Sequence, residues 1–268
     1  MANEWINRAI KLRKSGLSYA KIAKEIGKDK QTVSYYLKLE GYGPNEKYVR
    51  TNQNQPNKKY VNENYFENIN TEEKAYWLGF MYADGCVNSS RDSIELSLKE
   101  EDYDHIVKFK NALESEHIIG KKEKRTDSKT YISYRLCIKN KKLKSDLIKY
   151  GCTPKKTKTL EFPAIQEDLI GHFIRGYIDG DGCITSHKTS KISLEILGTY
   201  NFLNSIREYF QLDNDKYIYS FNHSDIKRLV ITGEKAFNII EQLYKNSTIS
   251  LDRKFNRYKE FAALFRDK

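Results

Sequence analysis

Two apolar stretches of helix length dominate the hydrophobic pattern of this chain. They are Tyr76-Trp77-Leu78-Gly79-Phe80-Met81-Tyr82-Ala83-Asp84-Gly85-Cys86 and Phe173-Ile174-Arg175-Gly176-Tyr177-Ile178-Asp179-Gly180-Asp181-Gly182-Cys183. Each carries a glycine followed four residues later by a second small residue (Gly79 and Ala83, Gly176 and Gly180). A helix built on either stretch therefore has a smooth strip along one face. Both then stop at Asp-Gly, followed by cysteine and an aliphatic residue. Asp84 and Asp181 lie 97 positions apart, which leaves room for a half-domain behind each copy.

Behind the first copy the pattern turns from helical to alternating. Asn70 and Glu73 have capping-box spacing at the start of the motif helix. Ile94, Leu96 and Leu98 alternate with Ser93, Glu95 and Ser97, which predicts a half-buried strand. Ile106, Val107, Phe109 and Leu113 predict an amphipathic helix over 102–114. A second alternation over 131–139 puts Ile132, Tyr134, Leu136 and Ile138 on one face and Tyr131, Ser133, Arg135 and Lys139 on the other. A helix over 141–150 closes the unit. The order recurs behind the second copy, with strands near 192–196, 217–221 and 227–232 and helices over 201–210, 234–244 and 251–265. Leu136 and Leu229 are 93 apart and Lys156 and Lys254 are 98 apart. These offsets stay close to that of the aspartates, as an internal duplication requires.

The first 40 residues have a shorter rhythm. Trp5, Ile6, Ala9, Ile10 and Leu12 follow a helical period that ends at Ser15-Gly16. Ser18 suits the N-cap of a second helix burying Tyr19, Ile22, Ala23 and Ile26, and Gly27 suits a left-handed exit. A third helix over 29–39 would bury Val33, Tyr36 and Leu37. From Gly41 to about 69 the chain is polar, asparagine-rich and without period, as expected of an extended linker. Its Arg50, Lys58 and Lys59 could lie along a phosphate backbone.

Charge narrows the partner. The 47 Lys and Arg outweigh the 36 Asp and Glu, a formal charge of +11, and nine of those cations against four acids fall within residues 1–40. Such a balance favours an acidic partner, nucleic acid first. Cys86, Cys137, Cys152 and Cys183 show no zinc-ligand spacing and suit a reducing compartment. No leader-like segment opens the chain and no apolar run approaches the ~20 residues that span a bilayer. A cytoplasmic location, in a bacterial or phage-infected cell or an organelle, and no membrane contact are expected.

An Asp-Gly after one helix is ordinarily a turn. Two copies on glycine-stripped helices would let those helices pack closely and bring two aspartates together. Helix C-termini already carry partial negative charge, so carboxylates crowded there favour a divalent cation. Oxygen ligands without His or Cys suit Mg²⁺, and two or more such ions are expected. Bound beside a basic sheet, they point to phosphodiester hydrolysis. On the outward strand faces, Tyr131, Ser133, Arg135 and Lys139, with Arg228, suit a DNA groove, and Lys121 and Lys122 in the preceding hairpin region suit phosphates.

At Trp77 to Gly85 and Ile174 to Gly182 the chain resembles the LAGLIDADG family of homing endonucleases, with Tyr82 standing where that motif has its first aspartate. The resemblance covers about 70–268. It implies an α+β fold of two pseudo-symmetric αββαββα half-domains, 70–165 and 166–268, forming a saddle over double-stranded DNA. It also implies a monomer that cuts both strands of a long specific site and leaves 3′ overhangs. Asp84 and Asp181 would be the catalytic metal-binding acids, with Ala83 and Gly180 completing the metal set, and Lys156 and Lys254 would be the basic residues beside them. Residues 1–40 resemble the helix-turn-helix of DNA invertases, which implies that Lys30, Gln31, Thr32, Ser34 and Tyr35 meet DNA. The competing readings are a non-cleaving DNA-binding regulator and an intron maturase.

Overall fold

The computed structural model describes residues 4–42, 59–126, 129–186, 192–213, 215–220 and 225–266. The chain divides into two compact units, Met1–Lys58 and Lys59–Lys268.

The first unit holds α1 (Glu4–Lys14), α2 (Tyr19–Ile26) and α3 (Lys30–Leu39). The Ser18 hydroxyl accepts from the Lys21 N–H, and Gly27, at φ +65°, donates its N–H to the Ala23 carbonyl. The Asp29 carboxylate caps α3, accepting from the N–H groups of Gln31 and Thr32 at 2.9 and 2.7 Å. Ala9, Ile22, Ala23, Val33 and Leu37 form the core. Tyr36, expected inside with Val33 and Leu37, is instead exposed and meets Trp5 edge-on at 5.3 Å. Trp5, itself packed against that core, supplies the partner of the Tyr36 ring outside it.

Of the expected linker, residues 43–58, including Arg50 and Lys58, lie outside the described residues. Its last part does not behave as a tether. Tyr65, Phe66 and Ile69 are buried in the core of the second unit, and the Asn62 N–H donates to the Leu113 carbonyl at 2.9 Å. Three apolar residues scattered among asparagines and glutamates carry no period, so the pattern hid them.

The second unit runs through α4 (Glu72–Ala83), β1 (Gly85–Val87), β2 (Ser93–Lys99), α5 (Tyr103–Ala112), β3 (Gly120–Arg125), β4 (Thr130–Lys139) and α6 (Lys141–Lys149). The order returns in α7 (Ile170–Asp181), β5 (Cys183–Ser186), β6 (Ile192–Gly198), α8 (Tyr200–Tyr209), β7 (Ile218–Ser220), β8 (Lys227–Thr232) and α9 (Gly233–Tyr244), followed by α10 (Asp252–Arg266). Both halves are αββαββα. Their antiparallel sheets have the same strand order, β1-β2-β4-β3 and β5-β6-β8-β7. Helices cover one face of each sheet, where Leu96, Leu136 and Ile138 or Leu194, Leu229 and Ile231 are buried, and a single hydrophobic core runs through both halves. Phe221, at the end of one expected strand, lies outside the described residues.

Two local expectations shift. Thr71, not Asn70, caps α4, its hydroxyl accepting from the Lys74 N–H at 3.3 Å. Asn70 instead accepts from the Lys74 ammonium. Lys121 to Arg125, expected in a hairpin region, is itself a strand pairing with β4. Gly120–Arg125 is exposed throughout, so no apolar alternation announced it.

Candidate active site

Close approach of α4 and α7 organises the site. A methyl group on Gly79 would sit 2.0 Å from the Phe173 carbonyl oxygen, and one on Gly176 would sit 2.0 Å from that of Tyr76. Backbone meets backbone at both points, which only glycine permits. Nearer the C-termini, a methyl on Gly180 would sit 2.3 Å from the Ala83 Cβ and 3.5 Å from an Asp84 carboxylate oxygen. The strip of small residues therefore continues until it delivers the two aspartates side by side.

Asp84 caps α4, donating its N–H to the Phe80 carbonyl at 3.0 Å, and Asp181 ends α7. The glycines after them serve a second purpose. A methyl on Gly85 would lie 2.5 Å from the Met81 carbonyl oxygen, and one on Gly182 would lie 2.7 Å from that of Ile178. The chain thus turns off each helix directly over the carbonyl four residues back. That explains Asp-Gly in both copies.

Each carboxylate keeps an open edge, and neither is held by a hydrogen bond among the described residues. Desolvation at the helix ends, together with the Asp181 charge, raises the Asp84 pKa to about 6 against the opposing charges of Lys254 and Arg253. Burial likewise raises Asp181, against the charges of Lys156 and Lys254. Among the described residues, no group of three or more His, Cys, Asp or Glu side chains is placed to hold a metal. The donor set here is two carboxylates with raised pKa values and the backbone carbonyls around them.

The two lysines come to the helix ends from later in each half. Lys156 donates to the Gly85 carbonyl, just past α4. Lys254 is buried and donates to the carbonyls of Ile178, of Asp179 at 2.8 Å and of Gly182 at 2.7 Å. It thereby caps α7 with a cation, where the helix dipole favours one. Burial brings its pKa down to about 8, while the Asp179 and Asp84 charges hold it up.

Beneath this lies a buried network that the pattern did not announce. Asp179 accepts from the Tyr76 hydroxyl (2.7 Å), the Tyr244 hydroxyl (2.6 Å) and the Leu251 N–H (2.7 Å). Burial raises the Asp179 pKa, while Lys254 and the three donors lower it. The Tyr76 proton is committed to Asp179, so the His105 Nε2–H donates to the Tyr76 oxygen at 2.9 Å. His105 stays neutral, its pKa pushed down to about 3 by burial. Nearby, the Arg175 guanidinium joins Glu72 of α4 (2.7 Å) to the carbonyls of Leu243 and Ile249. Arg253 binds both Asp102 carboxylate oxygens at 3.0 and 3.2 Å, tying α10 to the first half. Such long-range pairs leave no local trace. The only hint was charged residues inside otherwise apolar helices, Arg175 and Asp179.

The strand residues sort by register. Tyr131, Ser133, Arg135 and Lys139 lie on the open face of the first sheet with Lys122, which pairs with Ser133. Lys121 pairs with Tyr134, so it falls on the helix side and reaches Glu123 at 3.0 Å. Neighbours along a strand face opposite ways, so Lys121 and Lys122 cannot act as a pair. Arg228 lies on the open face of the second sheet. In the first unit, Lys30, Gln31 and Tyr35 are exposed and Ser34 is half-buried. The Thr32 hydroxyl donates to the Asp29 cap at 2.7 Å.

No protein-family model matches the chain, and no curated protein matches it. Among solved structures it is similar to the I-LtrWI LAGLIDADG homing endonuclease bound to target DNA. The identity is 13%, over 76% of this chain and 91% of that one, with a TM-score of 0.48. It is also similar to the meganuclease I-SmaMI bound to uncleavable DNA with a TTCT central four, at 13% identity over 70% and 88% of the two chains and a TM-score of 0.44. The LAGLIDADG meganuclease I-AabMI bound to uncleaved DNA gives 14%, 70%, 88% and 0.44. The structural neighbours are thus LAGLIDADG homing endonucleases at low sequence identity.

Proposed function

We propose that this chain is a site-specific DNA endonuclease that hydrolyses both strands of a long duplex site with divalent metal, leaving 3′ overhangs, and works as a monomer. One observation carries the reading. An internal duplication brings together, at the ends of closely packed helices, two carboxylates that no hydrogen bond among the described residues holds. Such acids against two helix C-termini are costly unless something positive is held there. Asp84 and Asp181, with the carbonyls of Ala83 and Gly180, would hold Mg²⁺. The chemistry such an ion would supply there is activation of water and stabilisation of the leaving oxygen of a phosphodiester.

The chain's own groups supply the rest. Lys254 fixes the end of α7 and, with a pKa near 8, can hold or accept a proton at its amine near neutral pH. Lys156 stands at the corresponding end of α4. The open sheet faces would bind the duplex, with phosphates meeting the lysines and Arg135 and base edges meeting Arg228. Residues 1–40 would add helix-turn-helix contacts through Lys30, Gln31, Ser34 and Tyr35. A non-cleaving DNA-binding regulator on the same fold would have no use for two such acids.

The test is cutting of candidate insertion-site DNA with Mg²⁺ and with EDTA. A Mg²⁺-dependent double-strand break, lost in Asp84→Asn and Asp181→Asn while binding persists, is the expected result. Binding without cutting at every candidate site would favour the regulator.

A further inference from the structure

Duplicated halves invite the expectation that both sheets read DNA alike. Their open faces differ sharply. On the first sheet, register and alternation place Lys99, Lys122, Lys124, Arg135 and Lys139 outward, all exposed, against one acid, Glu95, which pairs with Arg135 at 2.8 Å. On the second, the outward set from the described strand residues is Cys183, Thr185, Ser193, Glu195, Leu197, Tyr219, Arg228, Val230 and Thr232. Its one cation, Arg228, faces its one acid, Glu195, at 3.4 Å. Among the described strand residues, the first face carries a net four positive charges (five minus one) and the second none (one minus one).

Equivalent rows sharpen the contrast. Arg135 lies between Ser97 of β2 and Gly120 of β3. Arg228 lies between Leu197 of β6 and Tyr219 of β7. Leu197 is 42% exposed and Tyr219 50% exposed. They stand on the sheet face turned away from the helices, so the core does not account for them. An arginine flanked by apolar side chains matches a base-edge pattern in the major groove. Arginine takes the two acceptors of guanine, and apolar carbon takes the 5-methyl of thymine.

We propose that the two sheets divide the labour of recognition. The first grips phosphates, and the Leu197–Arg228–Tyr219 row reads thymine methyl groups beside a guanine in the other half of the site. This rests on the DNA-binding part of the proposed function and not on cleavage.

The experiment uses the full chain. A binding site is selected from a randomised duplex pool, and thymines in each half are then replaced by deoxyuridine, which removes only the methyl. Binding is measured across a salt series. Replacement in one half should weaken binding about fourfold per contacted methyl, and replacement in the other half should not. Leu197→Ser and Tyr219→Ser, both at exposed positions, should abolish that thymine preference and leave the salt dependence unchanged. Lys122→Ala with Lys124→Ala should lower the salt slope by about one per lost phosphate contact and leave the thymine preference intact. Equal indifference to the methyl in both halves, or a thymine preference that survives Leu197→Ser with Tyr219→Ser, would overturn the division. A selected site that shows the division but is never cut would remove the nuclease reading alone. Failure to select any site would remove DNA recognition itself.

Discussion

Tyr82 and Asp179 occupy the same place in the two motif copies, two residues before Asp84 and Asp181, and anchor the same kind of segment with opposite chemistry. The Tyr82 hydroxyl donates to the Tyr150 carbonyl, six residues before Lys156. The Asp179 carboxylate accepts from the Leu251 N–H, three residues before Lys254. Each ties its motif helix to the strap that carries a lysine to the site. The departure at Tyr82 therefore changes the donor's direction and preserves the mechanical link.

The anchors should differ in their contribution to stability. Asp179 satisfies three buried donors at once. An amide there offers one acceptor oxygen and turns an N–H₂ toward donors. Asp179→Asn should cost about 2–3 kcal/mol, whereas Tyr82→Phe, which loses one bond, should cost about 1 kcal/mol. Urea denaturation of both variants reads the difference. Equal costs would mean that the Asp179 network is replaceable by water.

Helix contact gives a sharper test. Gly79→Ala and Gly176→Ala each push a methyl to 2.0 Å from a backbone carbonyl oxygen of the other helix, which cannot swing aside. Each should cost at least about 3 kcal/mol, the upper range for overpacking. Gly27→Ala meets no neighbour within 4 Å and suffers only from its φ of +65°. It should cost about 1 kcal/mol. Thermal or urea melts of the three variants provide the comparison.

These contrasts show what the pattern could and could not carry. Gly79, Ala83, Gly176 and Gly180 were legible because a four-residue spacing of small residues has one geometric use on a helix. Ile94 to Leu98 and Ile132 to Ile138 were legible because one face of each strand is buried. β3 was not, since all its residues are exposed and mostly charged. Lys121 adjoins Lys122 in the sequence, and only the register with Tyr134 decides which way it faces. The bonds of Asp179 to Tyr76, Tyr244 and Leu251, and of Arg253 to Asp102, join residues 65 to 151 positions apart. No local signal encodes such pairs.

The contribution of Asp84 to stability should fall as pH rises through the acid range, opposing the gain from His105, which the fold keeps neutral. The Asp84 pKa is 3.8 in the open chain and about 6 here. Between those values this carboxyl binds more protons in the folded state than in the unfolded one, so at this site raising the pH favours unfolding. Asp84→Asn should therefore raise Tm at pH 8 relative to the native chain and have little effect at pH 4. Added Mg²⁺ should raise the Tm of the native chain at pH 8 and leave the double variant Asp84→Asn with Asp181→Asn unmoved. A Mg²⁺ response undiminished in that double variant would place the ion elsewhere.

Lys254 should show the opposite slope at alkaline pH. Its pKa is 10.5 in the open chain and about 8 here, where burial disfavours the charge. Between pH 8 and 10.5 the folded protein binds fewer protons than the unfolded one, so stability gains as pH rises across that window. Lys254→Met should remove this gain. It also leaves the carbonyls of Ile178, Asp179 and Gly182 without their donor, so it should cost about 1–3 kcal/mol at pH 7. The catalytic consequence is separable from the structural one. If the neutral amine accepts a proton during cutting, one strand should be cut faster as pH rises toward 8 and then level off. End-labelling each strand separately, in the native chain and in Lys254→Met, reads that profile. A variant that keeps the rise on both strands would reduce Lys254 to the cation that caps α7.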